Sequence, residues 1–406
     1  MTFTIARLGH LGDGIILGPE GAIYAPQTLP GEEVEGTLTG DQLSDIRIVT
    51  PSAYRVKAPC VHARTCGGCM MQHASDGFVA DWKTHIVRAA LAAQGLEAEL
   101  RPILTSPPRS RRRATLAARR TKGGVLMGFH ARASDTLVAV PNCQLLHPDL
   151  MATFPALEEI VKLGGSRTVA LDLQITRTPS GTDVAISGGK AADAGLQLDL
   201  ARLTEAHKLS RLTWNGEIVA LRAQPSLRFG KATVPLPFGA FLQATAQGEA
   251  ALLASVKEAV GQARRITDLF AGIGTFALPL AENAEVHAVE GEIKMLTALD
   301  KGFRMAEGLK RVTNDVRDLY RRPLEPDEFK YVEAVVIDPP RAGAEAQSHT
   351  LAKSKVPVIA YVSCNPATFA RDAKILIAGG YKLDWVQVVD QFRWSSHVET
   401  AAKFTL

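Results

Sequence analysis

The stretch RITDLFAGIGTFALPLAEN, residues 265–283, decides the fold. Arg265–Phe270 reads as a short strand, and the glycine-bearing turn after it opens onto a helical pattern. Gly272 and Gly274 permit a tight turn and a close approach of a ligand to the backbone. The alternation continues downstream. EVHAVEG (285–291) is a second strand, and EAVVIDPPRAG (333–343) is a buried strand ending in a Pro-Pro turn. VPVIAYVSC (356–364) is a further strand, followed at once by the helical NPATFARDAKILIAGG (365–380). Upstream, EAALLASVKEAVG (249–261) is helical. Strands alternating with helices predict a doubly wound α/β sheet. Ligands in such sheets lie beyond the carboxyl ends of the strands, where Gly272, Glu290, Asp338 and Cys364 all fall.

Each of these residues has a plain reading and a chemical one. The glycine turn lacks the third glycine of the dinucleotide fingerprint and by itself marks only a strand–turn–helix. Glu290 ends the next strand 22 residues after Asp268, a placement that suits a carboxylate on ribose hydroxyls. In DPPR, residues 338–341, the prolines fix φ and remove two N–H donors, leaving a stiff, carbonyl-rich ledge from which Asp338 faces a ligand. Cys364 ends a strand and stands immediately before a helix, whose N-terminus favours a thiolate and suits a nucleophile. Glu399, in the β-prone HVETAAKF near the end of the chain, is a base only if it folds back toward Cys364, which sequence spacing cannot establish.

Residues 1–56 contain about five β-prone runs punctuated by Gly, Asp-Gly and Pro-Gly turns, the pattern of a small OB-type barrel. Residues 57–240 read as a mixed, largely antiparallel α+β domain, opened by a cysteine cluster and the helical FVADWKTHIVRAALAAQGL (78–96), and residues 241–406 as the α/β domain. The 406 residues are 46% hydrophobic and 22% charged, the balance of an ordinary globular protein. A net charge of +4 is too small to name a partner. No apolar run approaches membrane-spanning length, and the opening MTFTIARLGH lacks the basic and apolar regions of a signal peptide. A cytoplasmic protein with reduced thiols is therefore expected.

Cys60, Cys66, Cys69 and Cys143 are enough for one metal site, with Cys364 left over. Four thiolates suit zinc or an iron–sulfur cluster, and the x5 and x2 spacings match neither paired zinc knuckles nor the triplet of radical enzymes. RSRRRATLAARRTK, residues 109–122, carries six arginines, one lysine and no acid. Its density suits a track for nucleic-acid phosphates better than a solvated face.

Together YVSCNP, DPPRAG, DLFAGIGTF and the terminal HVET resemble the RNA uracil-C5 methyltransferases that use S-adenosylmethionine. The cysteine cluster and the N-terminal barrel with LPGE resemble the iron–sulfur branch of that family, which carries a TRAM domain and modifies 23S rRNA. The resemblance implies a Rossmann-like class I methyltransferase domain and a monomer. It makes Cys364 the nucleophile and Glu399 the base. It places Gln243, Phe270, Thr275, Glu290, Asp338 and, on a looser alignment, Asp318 around the cofactor. Cys60, Cys66, Cys69 and Cys143 would hold a [4Fe-4S] cluster. Two positions depart from the family pattern: Thr245 stands for an asparagine in F-x-Q-x-N, and Thr275 for an asparagine in the glycine loop. A tRNA substrate, an N-methyltransferase using DPPR as a relative of [DN]PP, and an RNA-binding protein without turnover are the competing readings.

Overall fold

The computed structural model describes residues 2–19 and 21–406, all but Met1 and Glu20. Between Thr2 and Thr50 six short strands form one sheet. Its first segment bonds at both edges. Thr2–Thr4 pairs with Glu33–Glu35, while Arg7–Leu8 pairs with Gly14–Ile15, so the sheet closes on itself around Ile5, Ile16, Ala25, Val34 and Leu43. A seven-stranded sheet follows, running from Leu137–Ala139 at one edge to Glu217–Leu221 at the other. Among its pairings only Gly181–Ser187 with Arg211–Trp214 is parallel, because the helix Ala194–Ala206 carries the chain across between them.

The third body is an eight-stranded sheet, whose strands we label in chain order: β1 Leu100–Thr105, β2 Arg265–Leu269, β3 Glu285–Glu290, β4 Val312–Val316, β5 Ala334–Ile337, β6 Val358–Ser363, β7 Lys382–Asp390 and β8 Glu399–Thr405. The spatial order is β4-β3-β2-β5-β6-β8-β7-β1. Strands β4, β3, β2, β5 and β6 run parallel, and β7 and β1 run with them. Only β8 is reversed, antiparallel to both neighbours. The central strands are buried on both faces, as AVVI of β5 shows, while β4 and β1 at the two edges are largely exposed.

Four helices matter for the site: α1 Asp76–Ala93, α2 Ala246–Val260, α3 Ile293–Met305 and α4 Pro366–Ala378. Helix α1 starts at Ser75, whose side chain accepts from the Phe78 N–H, and ends before Gly95. Its Val87 and Leu91 lie in the same core as Phe369, Ala373 and Leu376 of α4. The structure thus takes α1, β1 and the hairpin Ser226–Pro235 out of the central domain expected over 57–240 and builds them into the α/β body. No helix among the described residues is long and apolar enough to cross a membrane.

One buried ion pair fastens α1 to this sheet. Lys83, fully buried, donates from Nζ to Asp390 Oδ1 and to the carbonyls of Phe392 (3.1 Å) and His397 (2.9 Å). All three ammonium hydrogens are used, and they hold both ends of the loop joining β7 to β8. Lys83→Met removes one partner and strands the Asp390 carboxylate in the interior. It should cost about 3–5 kcal/mol, read as a lower urea midpoint for the α/β body, and Lys83→Met with Asp390→Asn should recover part of the loss.

Candidate active site

The glycine loop leaves β2 through Phe270, which takes a left-handed φ of +60°, and turns through Gly272 and Gly274 at φ +55° and +93°. The two glycines serve different ends. A Cβ on Gly274 would run into Leu278 and Leu299, so that glycine admits packing. A Cβ on Gly272 would meet nothing within 4 Å, so the backbone there borders open space. Glu290, at the end of β3, faces the same loop. Its Oε2 accepts from Gly272 N–H (3.0 Å) and its Oε1 from Glu292 N–H (2.9 Å). Thr275 is half-buried on the turn. The Phe270 ring packs 5.5 Å from that of Tyr320, an exposed aromatic that sequence reasoning did not single out. Asp318 stands on the exposed turn beyond β4, and its Oδ1 accepts from the N–H groups of Tyr320 and Arg321.

The DPPR ledge is tied to the start of α4. Asn365 caps that helix by accepting from Ala367 N–H and donates from Nδ2 to Arg341 O. Thr368 donates to the same carbonyl, and Arg371 donates to Ala342 O. Asp372, fully buried, accepts from Ala344 N–H and from the Tyr361 hydroxyl, closing the clamp from within. Asp338 and Cys364, which end β5 and β6, are therefore held by one hydrogen-bonded unit.

The reversed strand β8 brings Glu399 to the same edge. In the β6–β8 pairing Val362 lies opposite Ala401 and Ser363 opposite Thr400. One step further along the same register brings Cys364 opposite Glu399. Glu399 is 2% exposed, and burial together with the nearby Asp338 pushes its carboxyl up to about 8. Burial pushes Asp338 to about 7. Cys364 behaves against the sequence expectation. Burial, then Glu399 and Asp338, push its thiol up to about 12, and the nearby Arg341 offsets them only in part. Asp268, beneath the glycine loop, is also fully buried, and burial together with the nearby Asp338 holds it far above its ordinary range.

Gln243 lies 3% exposed beside this group, and its Oε1 accepts from Gln391 Nε2. Thr245, the departure from the family pattern, caps α2 by accepting from Gly248 N–H and hydrogen-bonds Ser106 at 2.7 Å. A threonine serves there because capping needs only a short side-chain oxygen. The arginine stretch is not a uniform phosphate track. Arg112 is buried, donating to Gln243 O (2.9 Å) and pairing with Glu249. Arg111 packs on the Phe392 ring and Arg113 on that of Phe241. On the strand Arg113–Arg120, Arg119 is the exposed arginine.

Cys60, Cys66, Cys69 and Cys143 line one narrow pocket with Gly68, Gln72, Phe129 and Leu145. Gly67 N–H donates to His130 O and Gly68 N–H to Cys66 Sγ, so the cysteine loop is sewn to the central sheet. Burial raises Cys66 and Cys143 and pushes Cys69 to about 12. Among the described residues no group of three or more His, Cys, Asp or Glu side chains is arranged to hold a metal ion.

Comparison with known proteins places this geometry. The family model for tRNA (Uracil-5-)-methyltransferase matches residues 235–405. An uncharacterized RNA methyltransferase of Brucella suis is 43% identical over 403 residues, covering 99% of this chain and 97% of its own. The 23S rRNA (uracil(1939)-C(5))-methyltransferase RlmD of Shewanella piezotolerans is 31% identical over 431 positions, covering 100% and 96%. The solved Pyrococcus abyssi tRNA (uracil-54, C5)-methyltransferase in complex with S-adenosyl-L-homocysteine has the same fold. Its TM-score is 0.77 at 24% identity, over 100% of this chain and 99% of that one. With full-length relatives above 30% identity and a sheet that sets a cysteine against a glutamate, the chain belongs to the RNA uracil-5-methyltransferase family.

Proposed function

We propose that this enzyme methylates C5 of a uridine in 23S rRNA through a transient bond from Cys364 to C6, with S-adenosylmethionine as methyl donor. The observation that carries the reading is the register that pairs Ser363 with Thr400 and so brings the next residues, Cys364 and Glu399, together. When bound, S-adenosylmethionine supplies an electrophilic methyl group on a sulfonium. Gln243, Phe270, Thr275, Glu290, Asp318 and Asp338 are the residues that would hold it, and the open backbone above Gly272 and the two-oxygen carboxylate of Glu290 fit such a ligand.

Uracil C5 is a weak nucleophile, and the chain's own groups correct this. Cys364 loses its proton to solvent and its sulfur bonds to C6, which moves an electron pair toward C5. C5 then takes the methyl group as the methyl–sulfur bond breaks, its electron pair staying on sulfur and neutralising the sulfonium. The Glu399 carboxylate removes the C5 proton, the C6–S bond breaks, and the thiolate returns. An N-methyltransferase needs neither residue, which weighs against that reading of DPPR. The target base must leave its stack to reach Cys364. The full-length similarity to RlmD favours 23S rRNA over the tRNA named by the family model and the Pyrococcus structure.

The closed N-terminal sheet reads as a TRAM-type RNA-binding barrel. Cys60, Cys66, Cys69 and Cys143 read as ligands of a [4Fe-4S] cluster. The soft donor set around one pocket fits it, and a four-iron cube spreads its thiolates more widely than one ion does. Its part is to hold the cysteine loop against the central sheet, because methyl transfer from a sulfonium needs no electron. Anaerobically purified protein should contain about four iron and four sulfide per chain; zinc in their place would overturn this assignment.

Two further outcomes test the reaction. With 5-fluorouridine rRNA and S-adenosylmethionine, the fluorine cannot leave as a proton, so a denaturation-resistant protein–RNA band should form with rRNA, fail to form with tRNA, and vanish in Cys364→Ala. The second outcome concerns pH. Glu399, pushed up to about 8, is protonated at pH 7 and must ionise to act. Release of the adduct with ordinary uridine, followed by denaturing quench after mixing, should quicken as pH rises and level off above about 8. In Glu399→Gln it should be about 10²–10⁴-fold slower and flat with pH.

A further inference from the structure

A side chain outside the expected site joins its two halves. Gln391 follows β7 and is 1% exposed. Its Oε1 accepts from Ala244 N–H at 2.7 Å, which fixes which way the amide faces. Its Nε2 then donates in two directions, to Gln243 Oε1 and, at 3.2 Å, to Glu399 Oε1. All its hydrogen-bonding hydrogens are thereby used, one on each side of the reaction. Since Gln243 presents its oxygen to Gln391, its own NH2 faces away.

The surrounding sequence leaves room for this side chain and no more. Gly248, in the first turn of α2, packs against it. A Cβ built on Gly248 would lie 2.5 Å from Gln391 Cβ and 3.0 Å from its Oε1. Glycine is a poor helix former at such a place, so its presence answers to packing. Behind Gln391, Lys83 and Asp390 immobilise the backbone, with Asp390 Oδ1 also accepting from Phe392 N–H.

We propose that Gln391 is a positioning residue that locks the Glu399 carboxylate and the Gln243 amide into one frame, so that a single side chain sets both the base and the cofactor-side amide. The proposal rests on the reading of Cys364 and Glu399 given above. Its consequence is that proton removal and cofactor affinity change together when Gln391 is altered. The Gln391 hydrogen bond favours the charged form of Glu399, so losing it raises the pH at which the base ionises.

The test uses full-length enzyme, a 23S rRNA fragment with ordinary uridine, and S-adenosylmethionine, with adduct release followed from pH 6 to 10. Gln391→Met keeps the volume and removes the amide. Its release midpoint should move up by about half a unit or more, uncleared adduct should accumulate at pH 7, and KM for S-adenosylmethionine should rise about tenfold. Gly248→Ala removes no polar group but displaces Gln391, and should shift the same two quantities in the same direction; it stands in if Gln391→Met fails to fold. A normal midpoint and KM in either folded variant would overturn the proposal while the wild-type adduct upholds the reaction. No adduct in the wild type would overturn the reaction, and the proposal with it.

Discussion

The meeting of Glu399 with Cys364 depends on one reversal of chain direction. Seven strands of the main sheet point the same way and deliver their loops to one edge. A parallel eighth strand in the β8 position would have put its first residue at the far edge, some six residues of extended chain away. Because β8 runs backward between β6 and β7, its opening residue, Glu399, reaches the edge where Cys364 stands. Antiparallel pairing needs no crossover helix, so the connection from β7 is short enough to be pinned by Lys83 at both ends.

That edge is crowded with groups that would rather not be charged. Asp268, Asp338, Glu399 and Cys364 are all raised by burial, and several are raised further by one another. Gln391, Arg113 and Arg341 ease Glu399, and Arg341 eases Cys364, without reversing the effect of burial. Burial thus favours the protonated form of each of these groups. A positively charged ligand in the same crevice acts in the opposite sense on all four groups.

Much of this was legible in the chain. The glycine turn, the DPPR ledge and the thiol at a strand end each carry local signals: φ demands, missing donors, and a boundary between periodicities. Their common edge follows from parallel strands alone. Cys60, Cys66, Cys69 and Cys143 line one pocket, yet no group of three or more His, Cys, Asp or Glu among the described residues is arranged to hold a metal ion. Long-range pairing was not legible. Nothing near Glu399 says that it faces Cys364, and nothing near Leu100 says that it joins a sheet begun at residue 265. The arginine stretch misled because composition does not reveal facing: Arg112 turns inward to Glu249, where charge holds two segments together. The thiol misled because a helix N-terminus was weighed without the burial that opposes it.

Strand β1 has a consequence for how this protein comes apart and how it is made. It covers the β7 edge of the sheet, while α1 covers part of one face. The family-typical span 235–405 contains neither. Expressed alone, that span would expose the backbone of β7 and the apolar surface under Val87 and Leu91, an open edge that invites pairing with other copies. On the ribosome the order is reversed. The strand and helix emerge before the rest of their sheet and wait for some 280 residues before β7 exists to pair with β1.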